Sequence, residues 1–269
     1  MLETIVGSTS RETVNMNNSA FEESLISLIQ MLSPAKQRQL MEITQALAEP
    51  IQADINWAAG LVTAEFADEF TSRLQLHHAT HSKELQRTAI EDAFRAASLA
   101  AGRSVSPPMS ATERFIDEII DGEGVALKGS AARDIKEDRV HISKLCEAAW
   151  IQDVRGSVQR AEAAKNQIRK YLSVVDRIYQ LRVIPNTRQW IYQLVEIPVS
   201  LFEPILHLDK NLFAPDGPRI EVTDSFGPCM VFILDRSDSK ITIGRIPIER
   251  CVIHGRWSLA KREIPVKMD

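Results

Sequence analysis

The stretch GEGVALKGSAARDI (residues 122–135) decides how the rest of the chain is read. It opens on Gly122 and Gly124, runs through Val125, Ala126, Leu127 and Lys128, and stops at Gly129. An apolar run this short, bounded by glycines, has the length and flanks of a strand and not of a helix. The reading is therefore a short strand, VALK, whose last residue is a cation. Lys128 is then one of two things: a solvated residue at a strand end, or a chemical group held on a rigid platform.

Working outward, SATERFIDEII before this strand has Ser110 and Glu113 in capping-box spacing, which predicts a helix carrying Phe115, Ile116, Ile119 and Ile120 and ending at DGEG. After a polar loop, VHISKLCEAAWI and the basic stretch to Arg182 are expected to be mostly helical. QWIYQLVEIPVSLF is rich in β-branched and aromatic residues and reads as a strand halted by Pro198.

Toward the N-terminus, residues 1–18 are polar without usable periodicity and are expected to be a mobile arm. Residues 19–102 show helical spacing (Phe21, Leu25, Leu28, Ile29, Leu32), an N-cap at Ser33 before Pro34, and a glycine stop at Gly102. RSVSPPMS marks a boundary near 103–110, and the last fifty residues read as strands, the middle pair joined by DRSDSK. The expectation is an α/β (α+β) chain with four parts. They are the arm 1–18, a helical region 19–102 for dimerisation or for clasping a partner, a core at 110–206 with a central mixed sheet, and C-terminal strands at 207–269.

The chain has 269 residues, 44% hydrophobic and 25% charged, as in globular proteins. No apolar run approaches the length of a membrane span, and the N-terminus lacks the pattern of a secretory signal, so the expected location is the cytoplasm, with no membrane partner. Cys146, Cys229 and Cys251 form neither a disulfide framework nor a Cys-x-x-Cys pattern. Net charge is −4, but unevenly spread: residues 1–150 hold 14 Lys+Arg against 22 Asp+Glu, and residues 151–269 hold 18 against 14. Arg155, Arg160, Lys165, Arg169, Lys170, Arg177, Arg182 and Arg188 make 154–188 the most basic stretch, and on charge alone a polyanion partner and a solvated face are both open. His78 and His81 have the spacing of a metal pair on a helix, with no further ligand evident. On the last strand His254 and Arg256 alternate with Ile253 and Trp257, so they are expected on a polar face that either meets DNA or faces solvent.

Acids surround the lysine strand. Glu113, Asp117, Glu118, Asp121 and Glu123 precede Lys128, and Asp134, Glu137, Asp138 and Glu147 follow it. Phosphodiester hydrolysis uses such carboxylates to hold a divalent metal that activates water and offsets phosphate charge. A helix with acids, a short strand ending in Lys, a polar loop, SKLCEAAWI and the later strand YQLVEIP together resemble the core of type II restriction endonucleases of the PD-(D/E)xK nuclease superfamily, over roughly residues 110–206. The chain departs from that pattern at Ala126, which stands where the superfamily has an acid two residues before the lysine. Some members recruit a glutamate from a following helix instead, and here Glu147 is the expected replacement.

The resemblance implies a Mg²⁺-dependent enzyme that cuts both strands of a short DNA sequence as a homodimer. Asp121 is then the first metal acid, with Asp117 as runner-up and Glu118 and Glu113 as further candidates; Lys128 positions or activates water. Arg155, Arg160, Lys165, Arg169, Lys170, His254 and Arg256 are the expected DNA contacts. The competing reading is a non-catalytic dimeric DNA-binding or regulatory protein in which Lys128 and Glu147 are ordinary surface groups.

Overall fold

The structure is a computed structural model, and it describes residues 9–108, 115–132 and 134–261. Two compact units emerge, residues 1–49 and 50–269. The first consists of helices α1 (Thr9–Gln30) and α2 (Pro34–Ala48), with Pro34 opening α2 as its missing N–H allows. Helix α1 begins at Thr9, inside the stretch expected to be a mobile arm.

The second unit is built on a seven-stranded sheet. Its strands are β1 (Gln52–Ile55), β2 (Val105–Ser106), β3 (Glu118–Ile120), β4 (Glu123–Ser130), β6 (Arg177–Ile184), β7 (Gln189–Ile197) and β11 (Val252–Ala260), in the order β1-β11-β7-β6-β4-β3-β2. A second sheet of β5 (Arg139–Glu147), β8 (Arg219–Asp224), β9 (Gly227–Asp235) and β10 (Lys240–Pro247) runs β5-β10-β9-β8. Among the strand pairs β4–β6 is parallel, with helix α5 (Ser157–Leu172) in the crossover, which makes the large sheet mixed.

Alternation along the central strands splits the core in two. Val125, Leu127, Tyr179, Leu181, Tyr192 and Leu194 pack with Phe66, Phe70 and Phe94 from helices α3 (Ala64–Thr80) and α4 (Arg87–Ala100). Ala126, Ile178 and Val195 point the other way, into a cluster with Ile168 of α5 and Val140, Ile142, Phe232 and Ile243 of the smaller sheet. Helices α3 and α4 cover one face, and α5 with the second sheet covers the other.

Three expectations are corrected. The segment read as a helix through Ile120 ends instead in β3, paired to β4 by a two-residue turn at Asp121 and Gly122, with φ of 52° and 86°. Both central residues at positive φ is the geometry for which Asp-Gly is selected. VHISKLCE is strand β5, because Val140 and Ile142 alternate inward against β10. Within the segment read as continuous helix, Gln52–Ile55 instead adds β1 to the edge strand β11.

Candidate active site

Strand β4 delivers Lys128 to a cavity of about 440 Å³ whose walls include Glu84, Arg87, Asp117, Ser143, Cys146, Glu147 and Gln180. β3 pairs with β4 only as far as Val125, and beyond that point Asp117 takes over the strand's free edge. The Asp117 amide donates to the Val125 carbonyl at 2.8 Å, and the Leu127 amide donates to Asp117 Oδ2 at 2.7 Å. This brings Oδ2 to 3.7 Å from Lys128 Nζ, while Oδ1 accepts from Arg87 Nη2 at 2.6 Å. Lys128 and Asp117 are 15% and 9% exposed, so the pair is largely out of water. Burial pulls the Lys128 pKa below its ordinary value, against the opposing pull of the Asp117 charge. A lysine so placed gives up its own proton more readily than a solvated one, and in the neutral form it has a lone pair free to receive one.

The remaining candidate acids go elsewhere. Asp121 sits in the β3–β4 turn, where its Oδ1 accepts from the Ser104 amide at 2.9 Å and Ser104 Oγ at 3.2 Å, and it does not line the cavity. Asp117, the runner-up, is the aspartate that lies beside Lys128 on the cavity wall. Glu118 is 1% exposed and paired with Arg95, which removes it as a metal ligand facing the cavity. Glu113 lies outside the described residues. Glu147 does line the cavity, from the end of strand β5 and not from a helix, and its carboxylate is paired with Lys144. Ala126 is fully buried among apolar side chains, where an unpaired carboxylate would be costly.

The expected DNA contacts divide in the same way. Arg160 is buried and spends its guanidinium on the carbonyls of Phe213, Ala214 and Pro215 and of Arg155, so it is structural. Lys165 donates to the Leu208 carbonyl at 2.6 Å. His254 is 1% exposed with Nε2 2.8 Å from Glu196 Oε2, which overturns the expectation of a polar outer face there. The register shift between Ile253 and Gly255 turns it inward. Arg256 pairs with Glu137 at 3.2 Å, whereas Arg155, Arg169 and Lys170 are exposed. His78 is bonded to the Tyr192 hydroxyl at 2.7 Å, and among the described residues no group of three or more His, Cys, Asp or Glu could hold a metal ion.

Sequence reasoning missed Arg87, which opens α4 and caps Asp117, and Gln180, which is the register partner of Lys128 on β6. Nothing local marks either one. Both are brought in by tertiary pairing.

Known proteins resemble this chain over most of its length. Over 207 residues the chain is 28% identical to the type II restriction enzyme SmaI of Serratia marcescens, spanning 72% of this chain and 79% of that enzyme. A solved restriction endonuclease in complex with substrate DNA overlays 75% of this chain and 84% of its own at 10% identity, but with a TM-score of 0.34 the overlay is too loose to inform the site. A family model described as type II site-specific deoxyribonuclease matches residues 25–259, and this removes the reading of a non-catalytic binding protein. The chain belongs to the SmaI family of type II site-specific deoxyribonucleases, which makes it a sequence-specific DNA endonuclease.

Proposed function

We propose that phosphodiester hydrolysis takes place in the cavity against β4, with Lys128 and Asp117 as its central pair. The observation that supports this most directly is the 3.7 Å approach of two largely buried opposite charges on the wall of an open cavity. In this reading DNA brings a phosphate into the cavity and Lys128 orients the attacking water and draws its proton. The water oxygen bonds to phosphorus as the bond to one bridging oxygen breaks, and that oxygen takes a proton from solvent water, leaving a phosphate on one strand end and a hydroxyl on the other.

The walls fit Mg²⁺. That ion is held by one or two carboxylates, its other positions going to water and substrate oxygens, so a cluster of three protein ligands is not required. Asp117 would hold it, with Glu147 or Glu84 as the second carboxylate lining the same cavity. Cys146 is a poor rival ligand because burial pushes its thiol up to about 12 and keeps it protonated. When bound, the cation would activate water and offset charge growing on the phosphate.

Arg155, Arg169 and Lys170 are proposed to meet DNA phosphates, which predicts binding that weakens with salt. We further propose a homodimer matched to a two-fold DNA site, assembled through α1, α2 and the turn between them, where Phe21 of α1 is 68% and Met31 of the turn 80% exposed. Three free thiols fit action in the reducing cytoplasm.

The test is cleavage of long mixed-sequence DNA with and without Mg²⁺, using the natural chain and Lys128→Ala. Discrete Mg²⁺-dependent fragments from the first, and intact but still bound DNA with the second, are expected. Undiminished cutting by Lys128→Ala would remove the lysine from the chemistry.

A further inference from the structure

Gln180 is 1% exposed on the cavity wall, and its amide carries an unbalanced load. Nε2 donates to the His141 carbonyl at 2.9 Å, which fixes the orientation of the group, while Oε1 is buried with no hydrogen-bond partner. A buried acceptor left empty costs about 1–3 kcal/mol, so its presence in a fold needs a reason. Its nearest strand neighbour supplies one. In the parallel β4–β6 ladder Gln180 stands opposite Lys128, and both side chains leave the sheet on the same face. Lys128 keeps N–H donors whether or not it is protonated, and among the described residues its ion pair with Asp117 is at 3.7 Å, beyond normal hydrogen-bond length. An empty buried acceptor and an underused donor group therefore stand side by side.

We propose that Gln180 is a positioning residue for Lys128: its amide oxygen takes a hydrogen bond from the lysine when Asp117 is engaged by cation and substrate. This inference rests on the proposed role of Lys128. Once Asp117 turns its charge to another partner, an N–H of the Lys128 amine needs a new acceptor, and the amide oxygen of Gln180 provides one while the nitrogen lone pair stays free for the water proton. Gln180 is itself fixed by His141 of β5, so the lysine would be held by a group anchored to the second sheet.

The experiment separates the two ends of the amide. Gln180→Leu loses both the donor and the acceptor; Gln180→Glu loses the donor to His141 but keeps an acceptor oxygen. Single-turnover cleavage and DNA affinity are measured for both, beside Lys128→Ala. Gln180→Leu is expected to cut about 100-fold more slowly, the scale of a misplaced catalytic group, with DNA affinity nearly unchanged, and Gln180→Glu to recover most of that loss. Equal loss in both variants would tie the effect to the His141 bond and overturn the proposal, as would a Gln180→Leu enzyme of natural speed. If Lys128→Ala is inactive while Gln180→Leu is not, only this inference falls; if Lys128→Ala cuts normally, the reading of the site falls with it. A crystal structure of the natural chain with DNA and Ca²⁺ decides the matter without any variant. Lys128 Nζ within hydrogen-bond distance of Gln180 Oε1 is the expected result, and an Oε1 still unpartnered there refutes the proposal.

Discussion

Lys128 and Arg182 are two cations on adjacent strands of one sheet face, and they are treated in opposite ways. Arg182 is 1% exposed, yet its guanidinium donates to the Lys136 carbonyl, to the Arg139 carbonyl at 2.9 Å and to Gln193 Oε1 at 2.9 Å. None of these partners is charged, and together they tie the β4–β5 connection to the sheet. Lys128, 15% exposed, has a cavity before it and one carboxylate at 3.7 Å. Burial lowers the pKa of both. The difference lies in satisfaction: a cation whose donors are filled by backbone is a fastener, and one whose donors are left over is available for chemistry.

The largest effect that separates the two is expected at Lys128. Lys128→Ala should lower single-turnover cleavage by on the order of 10³-fold, within the range for a positioned acid–base group, while the urea midpoint changes little. Arg182→Met should do the reverse. With the carbonyls of Lys136 and Arg139 left unpaired, unfolding free energy should fall by about 3 kcal/mol, and the molecules that remain folded should still cleave. A stable, inactive Arg182→Met protein would break the contrast.

A smaller effect sharpens it. Arg87 occupies Asp117 Oδ1 as a competing cation from a 67% exposed position. Arg87→Gln should tighten Mn²⁺ binding several-fold in calorimetry without DNA, in keeping with surface pairs worth about 1 kcal/mol or less. Unchanged binding would mean that the cation does not meet that oxygen.

The smallest concerns His78, a half-buried base that does not line the cavity. Desolvation lowers its pKa to about 4 from 6.5. The unfolded chain then binds a proton between those values that the folded chain refuses, so stability should be lost as pH falls from 6.5 toward 4. His78→Phe, which keeps a ring against Trp190, should flatten that part of the stability–pH curve. An unaltered curve would mean that other groups set the acid limb.

The strand holding Lys128 was legible because glycines bracket it, and the C-terminal strands were legible from their β-branched runs. The sequence around Asp117 misled because its acids and isoleucines suit a helix face, and the Asp121-Gly122 hairpin signal was absorbed into the expected helix stop. VHISKLCE was read as helix because the partner that makes its alternation meaningful, β10, lies about a hundred residues away. That Asp117 and not Asp121 lies beside Lys128 has a similar reason. Both are aspartates a few residues before the strand, and only the end of β3–β4 pairing at Val125 tells which one turns back along β4.

That turning back gives the protein a built-in gauge. The Leu127 N–H ends on Asp117 Oδ2 and not on a neighbouring strand. Its resonance in a nitrogen–proton correlation spectrum therefore depends on what else that carboxylate is holding. A cation taken up by Asp117 should move this one signal far more than those of Val125 and Gly129 on either side, so occupancy of the site can be followed on the intact enzyme before any DNA is added.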